Sequence, residues 1–262
     1  MKKVNRRRVQ EATPKKSKKF DTEGETPTVQ QELGNRKRFH SKDVIDISPM
    51  NDRQREFIRL FHEGHELLVA AGSGGTGKSF LAMYCALSEV VRSDSVYDKI
   101  ILVRSSVQTR DLGFIGGNEE KFSFFESPYH PLCHSLMPQY KNAYEYLKAL
   151  GYLEFHLTSF IRGNTFDNCI IIFDEFQSAN YHEISSVITR CGENSRIILC
   201  GDSKQDDLLS KGRKNDQSGF GKLMNVVDKM PPSMVGVVQF GLEDIVRSGL
   251  VREFLIADHY TS

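Results

Sequence analysis

The segment Gly72-Ser73-Gly74-Gly75-Thr76-Gly77-Lys78-Ser79 constrains this chain more than any other. It fits the pattern G-x-x-x-x-G-K-[ST] and lies between an apolar run, Leu67 to Ala71, and a helix-like stretch, Phe80 to Val91. Eight residues alone could match by chance, but strand, glycine-rich loop and helix in that order form the setting in which backbone N–H groups turn inward around a phosphate. Lys78 adds a point charge, and Ser79 offers a hydroxyl to Mg2+. A nucleoside triphosphate is the implied ligand.

Further runs of strand length recur at Lys99 to Val103, Leu153 to Leu157, Cys169 to Phe173, Arg196 to Cys200 and Val235 to Phe240. Helix-like stretches separate them, near Asp52 to His62, Tyr129 to Leu150, Tyr181 to Arg190, Phe220 to Lys229 and Ser248 to Ile256. This alternation predicts an α/β fold with a mostly parallel sheet covered on both faces. With 262 residues, the chain suits one domain. The five cysteines are scattered and lack C-x-x-C spacing, which points to reduced structural thiols in a cytosol and to no zinc site. No apolar run is of bilayer-spanning length, so a cytoplasmic protein is expected, in the host cytoplasm if the source is viral.

The N-terminus reads differently. Nine basic residues between Lys2 and Lys19 face one nearby acid, Glu11, and the polar stretch Asp21 to Asn35 follows. Residues 1–46 are therefore expected to be a disordered basic arm and 47–262 the folded domain. Such an arm either grips nucleic-acid phosphates or is a solvated tail.

A second constellation lies in Cys169-Ile170-Ile171-Ile172-Phe173-Asp174-Glu175, a buried-type strand ending in two carboxylates. Asp174 is a candidate for the Mg2+ shell and Glu175 for activating water. The alternative is that Asp174 caps the next helix and Glu175 is solvated. The next strand ends in Gly201-Asp202-Ser203-Lys204-Gln205. If it lies between the two motif strands, Gln205 projects towards the terminal phosphate, where an amide can both donate and accept. Gln54, just after Asn51, either reads an adenine edge or is an exposed helix residue.

Together these pieces resemble the PhoH family, from about Ser48 to Leu255. The carriers are Gly72 to Ser79, Leu112 to Gly117, Phe160-Ile161-Arg162-Gly163-Asn164-Thr165-Phe166, Asp174-Glu175-Phe176-Gln177, Gly201 to Gln205 and Asp244-Ile245-Val246-Arg247. The resemblance implies a three-layer RecA-like P-loop NTPase with strand order 5-1-4-3-2, hydrolysing ATP with Mg2+ and coupled to RNA or single-stranded DNA. It implies that Arg247 stabilises charge on the transferring phosphoryl group, completing a neighbour's site in a homo-oligomer such as a hexameric ring. Arg162 and Arg104 become candidates for contact with phosphate or nucleic acid, or for pairing with Glu175 or Asp202 in the resting state. The family usually reads G-F-L-P-G at Gly113 to Gly117, a second arginine at Asn164 and R-H-P-L-V at Arg247 to Val251, so this chain departs from it in loops rather than in nucleotide-handling residues. Two rivals remain open: a nucleotide-dependent assembly protein with slow hydrolysis, and a small-molecule kinase.

Overall fold

The computed structural model describes residues 38–105, 123–202 and 219–261. The basic stretch from Lys2 to Lys19 lies outside them. Within the described residues, six apolar runs form parallel strands: β1 (Leu67–Gly72), β2 (Lys99–Arg104), β3 (Leu153–Leu157), β4 (Cys169–Asp174), β5 (Arg196–Gly201) and β6 (Val235–Phe240). The helices are α1 (Asp52–His62), α2 (Lys78–Val90), α3 (Tyr129–Leu136), α4 (Ala143–Ala149), α5 (Tyr181–Ile188), α6 (Phe220–Val227) and α7 (Gly249–Thr261).

The sheet runs β3-β2-β4-β5-β1-β6. This differs from the expected five-strand order by one added edge strand. With β3 set aside and the others renumbered, the order is 5-1-4-3-2. The insertion after β2 causes the difference: α3 and α4 carry the chain back across the sheet, as a parallel pairing requires, and Leu153 to Leu157 then pairs with Ile100 to Arg104. As expected, β5 lies between β1 and β4.

Burial follows position in the sheet. All six residues of β1, β4 and β5 are buried, as suits strands covered on both faces. Alternate residues point to opposite sides, so Leu68, Ala70, Ile170, Ile172 and Ile198 join the core under α1, α2, α3 and α4. Val69, Ile171, Phe173, Ile197 and Leu199 face Ile184 and Val187 of α5 and Leu223 and Val227 of α6. The edges read otherwise. β6 alternates buried and exposed, and β3 carries Glu154, whose carboxylate pairs with Lys99 at 2.6 Å, a charged edge that discourages strand addition.

Local chemistry sets the helix ends. Asn51 caps α1 by accepting from the Gln54 N–H at 2.9 Å, and Phe57 and Phe61 are buried from its apolar face. The single helix expected over Tyr129 to Leu150 is two. Pro138 has no N–H to donate, and it holds Met137 out of the helical region (φ −134°, ψ 62°), so α3 stops at Leu136. Phe39, fully buried, packs its ring at 5.3 Å from that of Tyr140, so core packing begins upstream of residue 47. All five cysteines are free, and no described helix is long and apolar enough to cross a membrane.

Candidate nucleotide site

The C-terminal ends of β1, β5, β4 and β2 lie side by side, with Ala70 beside Cys200, Cys200 beside Asp174 and Asp174 beside Arg104. The connection from β1 leaves towards one face of the sheet and that from β4 towards the other. This divergence opens the crevice where ligands bind in open α/β sheets. The crevice holds about 680 Å³, within the range of a small-molecule site.

The loop after β1 forms one wall. Gly72 adopts φ +116° because its backbone passes so close to β6 that a Cβ there would sit 2.0 Å from the Phe240 carbonyl oxygen. Ser73 donates its N–H to that carbonyl at 3.1 Å. Lys78 begins α2 and curls back, its Nζ donating to the Gly72 and Ser73 carbonyls at 2.9 and 2.7 Å. Burial pulls the Lys78 pKa down, and the charges of Asp202, Glu175 and Asp174 oppose that pull. Gly74, Gly75, Thr76, Gly77 and Ser79 also line the crevice. The N-terminus of α2 thus opens on the crevice, a position that suits an anion.

Across from the loop, Asp174 is buried and does not cap a helix. Its Oδ1 accepts from Ser79 Oγ at 2.6 Å and its Oδ2 from Tyr129 Oη at 2.8 Å. Arg104 Nη1 donates to the same phenol oxygen at 3.4 Å, so Arg104 turns inward to the acidic pair. A hydroxyl and a carboxylate in contact are hard oxygen donors that suit Mg2+, which takes one or two protein ligands and completes its shell with phosphate and water. Among the described residues, no cluster of three or more His, Cys, Asp or Glu side chains could hold a metal by itself.

Glu175 is half-buried and has φ +54°, a left-handed conformation that costs a residue with a side chain about 1–2 kcal/mol. Gln177 holds it there. Its Nε2 donates to Glu175 Oε2 at 2.6 Å, and its Oε1 accepts the Asp202 N–H at 3.0 Å, linking the glutamate to the end of β5. The link fits only because residue 201 is glycine: a Cβ there would lie 2.6 Å from the Phe176 ring and 2.8 Å from Gln177 Oε1. Burial, and then the charge of Asp174, raises the Glu175 pKa; Arg104, the Gln177 amide and Lys78 offset part of the rise.

Gln54 is buried rather than exposed. Its Nε2 donates to the Thr76 carbonyl at 3.0 Å and its Oε1 accepts the Met50 N–H at 2.8 Å, so the amide braces the loop. The Val246 N–H donates to the Gly75 carbonyl at 3.1 Å, strapping the segment after β6 onto the loop. Arg247 follows and lines the crevice beside its own loop; a Cβ on Gly75 would lie 3.0 Å from Arg247 Cγ. Arg162 is exposed on the β3–β4 connection and is not among the residues lining the crevice. Gln205 and the segment Leu112 to Gly117 lie outside the described residues. Tyr129, Gln177 and the Val246 strap carry no role in a reading of the sequence. Gln177 at least falls within the quoted Asp174 to Gln177 motif, but nothing local marks Tyr129, which meets its partner across 45 positions.

A phosphate loop on one strand, an acidic pair on a second and a third strand threaded between them define a P-loop NTPase, and the crevice is built to bind a nucleotide. Residues 46–260 match the family described as PhoH-like protein, and the chain belongs to that family. Protein PhoH of Escherichia coli is 32% identical over 220 residues, 83% of this chain and 59% of that protein. A PhoH-like protein of Bacillus subtilis is 28% identical over 206 residues, 78% of this chain and 61% of its own length. The chain therefore spans about three-fifths of these relatives. Among solved structures, a large terminase from a thermophilic bacteriophage, in complex with ADP, aligns with a TM-score of 0.45 and 12% identity over 81% of this chain and 49% of its own.

Proposed function

We propose that this chain is a Mg2+-dependent ATPase whose turnover is coupled to RNA or single-stranded DNA. The observation that carries the reading is the 2.6 Å contact between Ser79 and Asp174, in a crevice that Lys78 and Glu175 also line. Lys78 and the loop amides hold the β- and γ-phosphates. Ser79 and Asp174 are the residues to hold Mg2+, which when bound neutralises phosphate charge. Glu175 accepts a proton from water as the water oxygen bonds to the γ-phosphorus. The bond from that phosphorus to the bridging oxygen breaks, and ADP and inorganic phosphate leave. Gln205 is the candidate sensor of the γ-phosphate. Arg247 is the candidate for stabilising charge on it, and its place beside its own loop supports action within one subunit as readily as between two. The half-braced amide of Gln54 keeps one N–H and one oxygen lone pair for a base edge.

Coupling to nucleic acid draws support from the β3–β4 connection, which exposes an aromatic residue, Phe160, and two residues on a cation, Arg162. Self-association draws support from Leu250, Val251 and Phe254, which expose apolar surface on α7 next to Arg247. Light scattering with ATP tests it. The decisive measurement for the main reading is release of inorganic phosphate from ATP by the purified chain, with and without RNA, single-stranded DNA and duplex. No release under any of these conditions sinks the hydrolytic reading and favours a kinase needing an acceptor. Lys78→Ala is expected to lower kcat/KM by about a hundredfold or more, as loss of an electrostatic donor in a water-poor site does.

A further inference from the structure

The geometry points to Tyr129 as a positioning residue that fixes the Asp174 carboxylate for the metal, with Arg104 fixing Tyr129 in turn. This rests on the proposed Mg2+ role of Ser79 and Asp174. A carboxylate turns broadly about its last torsion, so a single hydrogen bond leaves its plane loosely set. Here donors from two different elements take one oxygen each: Ser79 of α2 bonds Oδ1 and Tyr129 of α3 bonds Oδ2. Ser79 and Asp174 are the residues that would hold the cation, and the Ser79 hydroxyl would then be drawn away from its bond to the carboxylate. Tyr129 then remains as the described side-chain donor that keeps the carboxylate plane in place.

Tyr129 is suited to that duty. Its side chain is 2% exposed, and its ring packs 6.3 Å from that of Phe155, so the hydroxyl has little room to wander. The donor chain has one direction, from the Arg104 guanidinium to the phenol oxygen and from the phenol O–H to Asp174. Each bond in such a chain polarises the next. Pro131, Leu132 and Ser135 of the same helix line the nucleotide crevice. Tyr129 thereby ties the wall opposite the phosphate loop to the metal position. Mere satisfaction of a buried phenol predicts a loss of stability without a selective effect on the metal.

The test uses the full chain and a fluorescent ADP analogue, with equilibrium affinity measured in EDTA and then across a Mg2+ titration. Removal of an outer-shell partner typically weakens metal binding about 10–100-fold. Tyr129→Phe is expected to shift the Mg2+ midpoint upward by about tenfold or more, leaving affinity in EDTA unchanged. A midpoint that stays within about twofold of the wild type, or an affinity in EDTA that falls in parallel, overturns the inference. If Tyr129→Phe does not fold, Phe155→Leu, which loosens the packing that holds the Tyr129 ring, is judged by the same two criteria. A wild-type chain whose nucleotide affinity ignores Mg2+ defeats the proposed metal reading instead, and so separates the two failures.

Discussion

Glu175→Gln is expected to lower ATP turnover by about 10²–10⁴-fold, the usual contribution of a positioned general base. Nucleotide affinity is expected to persist, because Lys78, the loop amides and the Ser79–Asp174 pair are untouched. Single-turnover phosphate release, measured beside equilibrium nucleotide binding, separates the two quantities. Unchanged hydrolysis removes Glu175 from the mechanism. The same substitution has a second, opposite effect on stability. Burial and the Asp174 charge raise the folded pKa of Glu175, so the native state holds this proton more tightly than the unfolded chain does. The stability this confers is present below the unfolded pKa, about 4.3, and is lost as pH rises through the folded value. At pH 7 the ionised glutamate therefore weighs against folding. Glu175→Gln is expected to raise stability there and to flatten the decline above the unfolded pKa. Turnover in the wild type is expected to fall on acidification at a pH above the ordinary glutamate range, because only the ionised carboxylate accepts the proton.

Gly72→Ala is expected to destabilise the protein by about 4 kcal/mol or more, at the severe end for a single substitution. Two costs combine there: φ is +116°, and the new Cβ meets the Phe240 carbonyl oxygen at 2.0 Å. Neither the loop nor β6 can yield without breaking the β1–β6 pairing, in which Gly72 lies beside Phe240. Gly64→Ala is the matched control, since Gly64 has φ +85° and nothing within 4 Å of the added atom. Its loss is expected to be about 1 kcal/mol, the conformational cost alone. Urea denaturation of both variants decides the matter, and equal losses would show that close approach to β6 is not what fixes residue 72 as glycine.

These residues also show what sequence patterns can reveal. β4 and its carboxylates were legible because a fully buried strand needs an unbroken apolar run, and a break in that run marks where the strand meets the crevice. The α3–α4 break was readable in principle at Pro138, yet apolar spacing carried the expected helix across it. Gln54 was visible as a candidate, but not its burial, because the loop it braces lies across 22 positions and its neighbours in α1 alternate between core and surface. The family resemblance assigned Arg247 to a neighbouring subunit's site. Its packing against Gly75 of the same loop was not legible, since the turn after β6 is set by hydrogen bonds from Asn51 to Asp244 and from Val246 to Gly75.

By itself the sequence determined the phosphate loop, the acidic strand end, the parallel α/β class and the family. Each is a local pattern in which neighbours along the chain supply the chemistry. Only the tertiary structure decided that β3 adds an edge, that Tyr129 and Ser79 share the Asp174 carboxylate, that Gln177 joins Glu175 to β5 and that Arg247 lies beside its own loop. Those arrangements depend on which strands pair and how closely backbones approach, and contact free energies between distant residues leave no periodic trace along the chain.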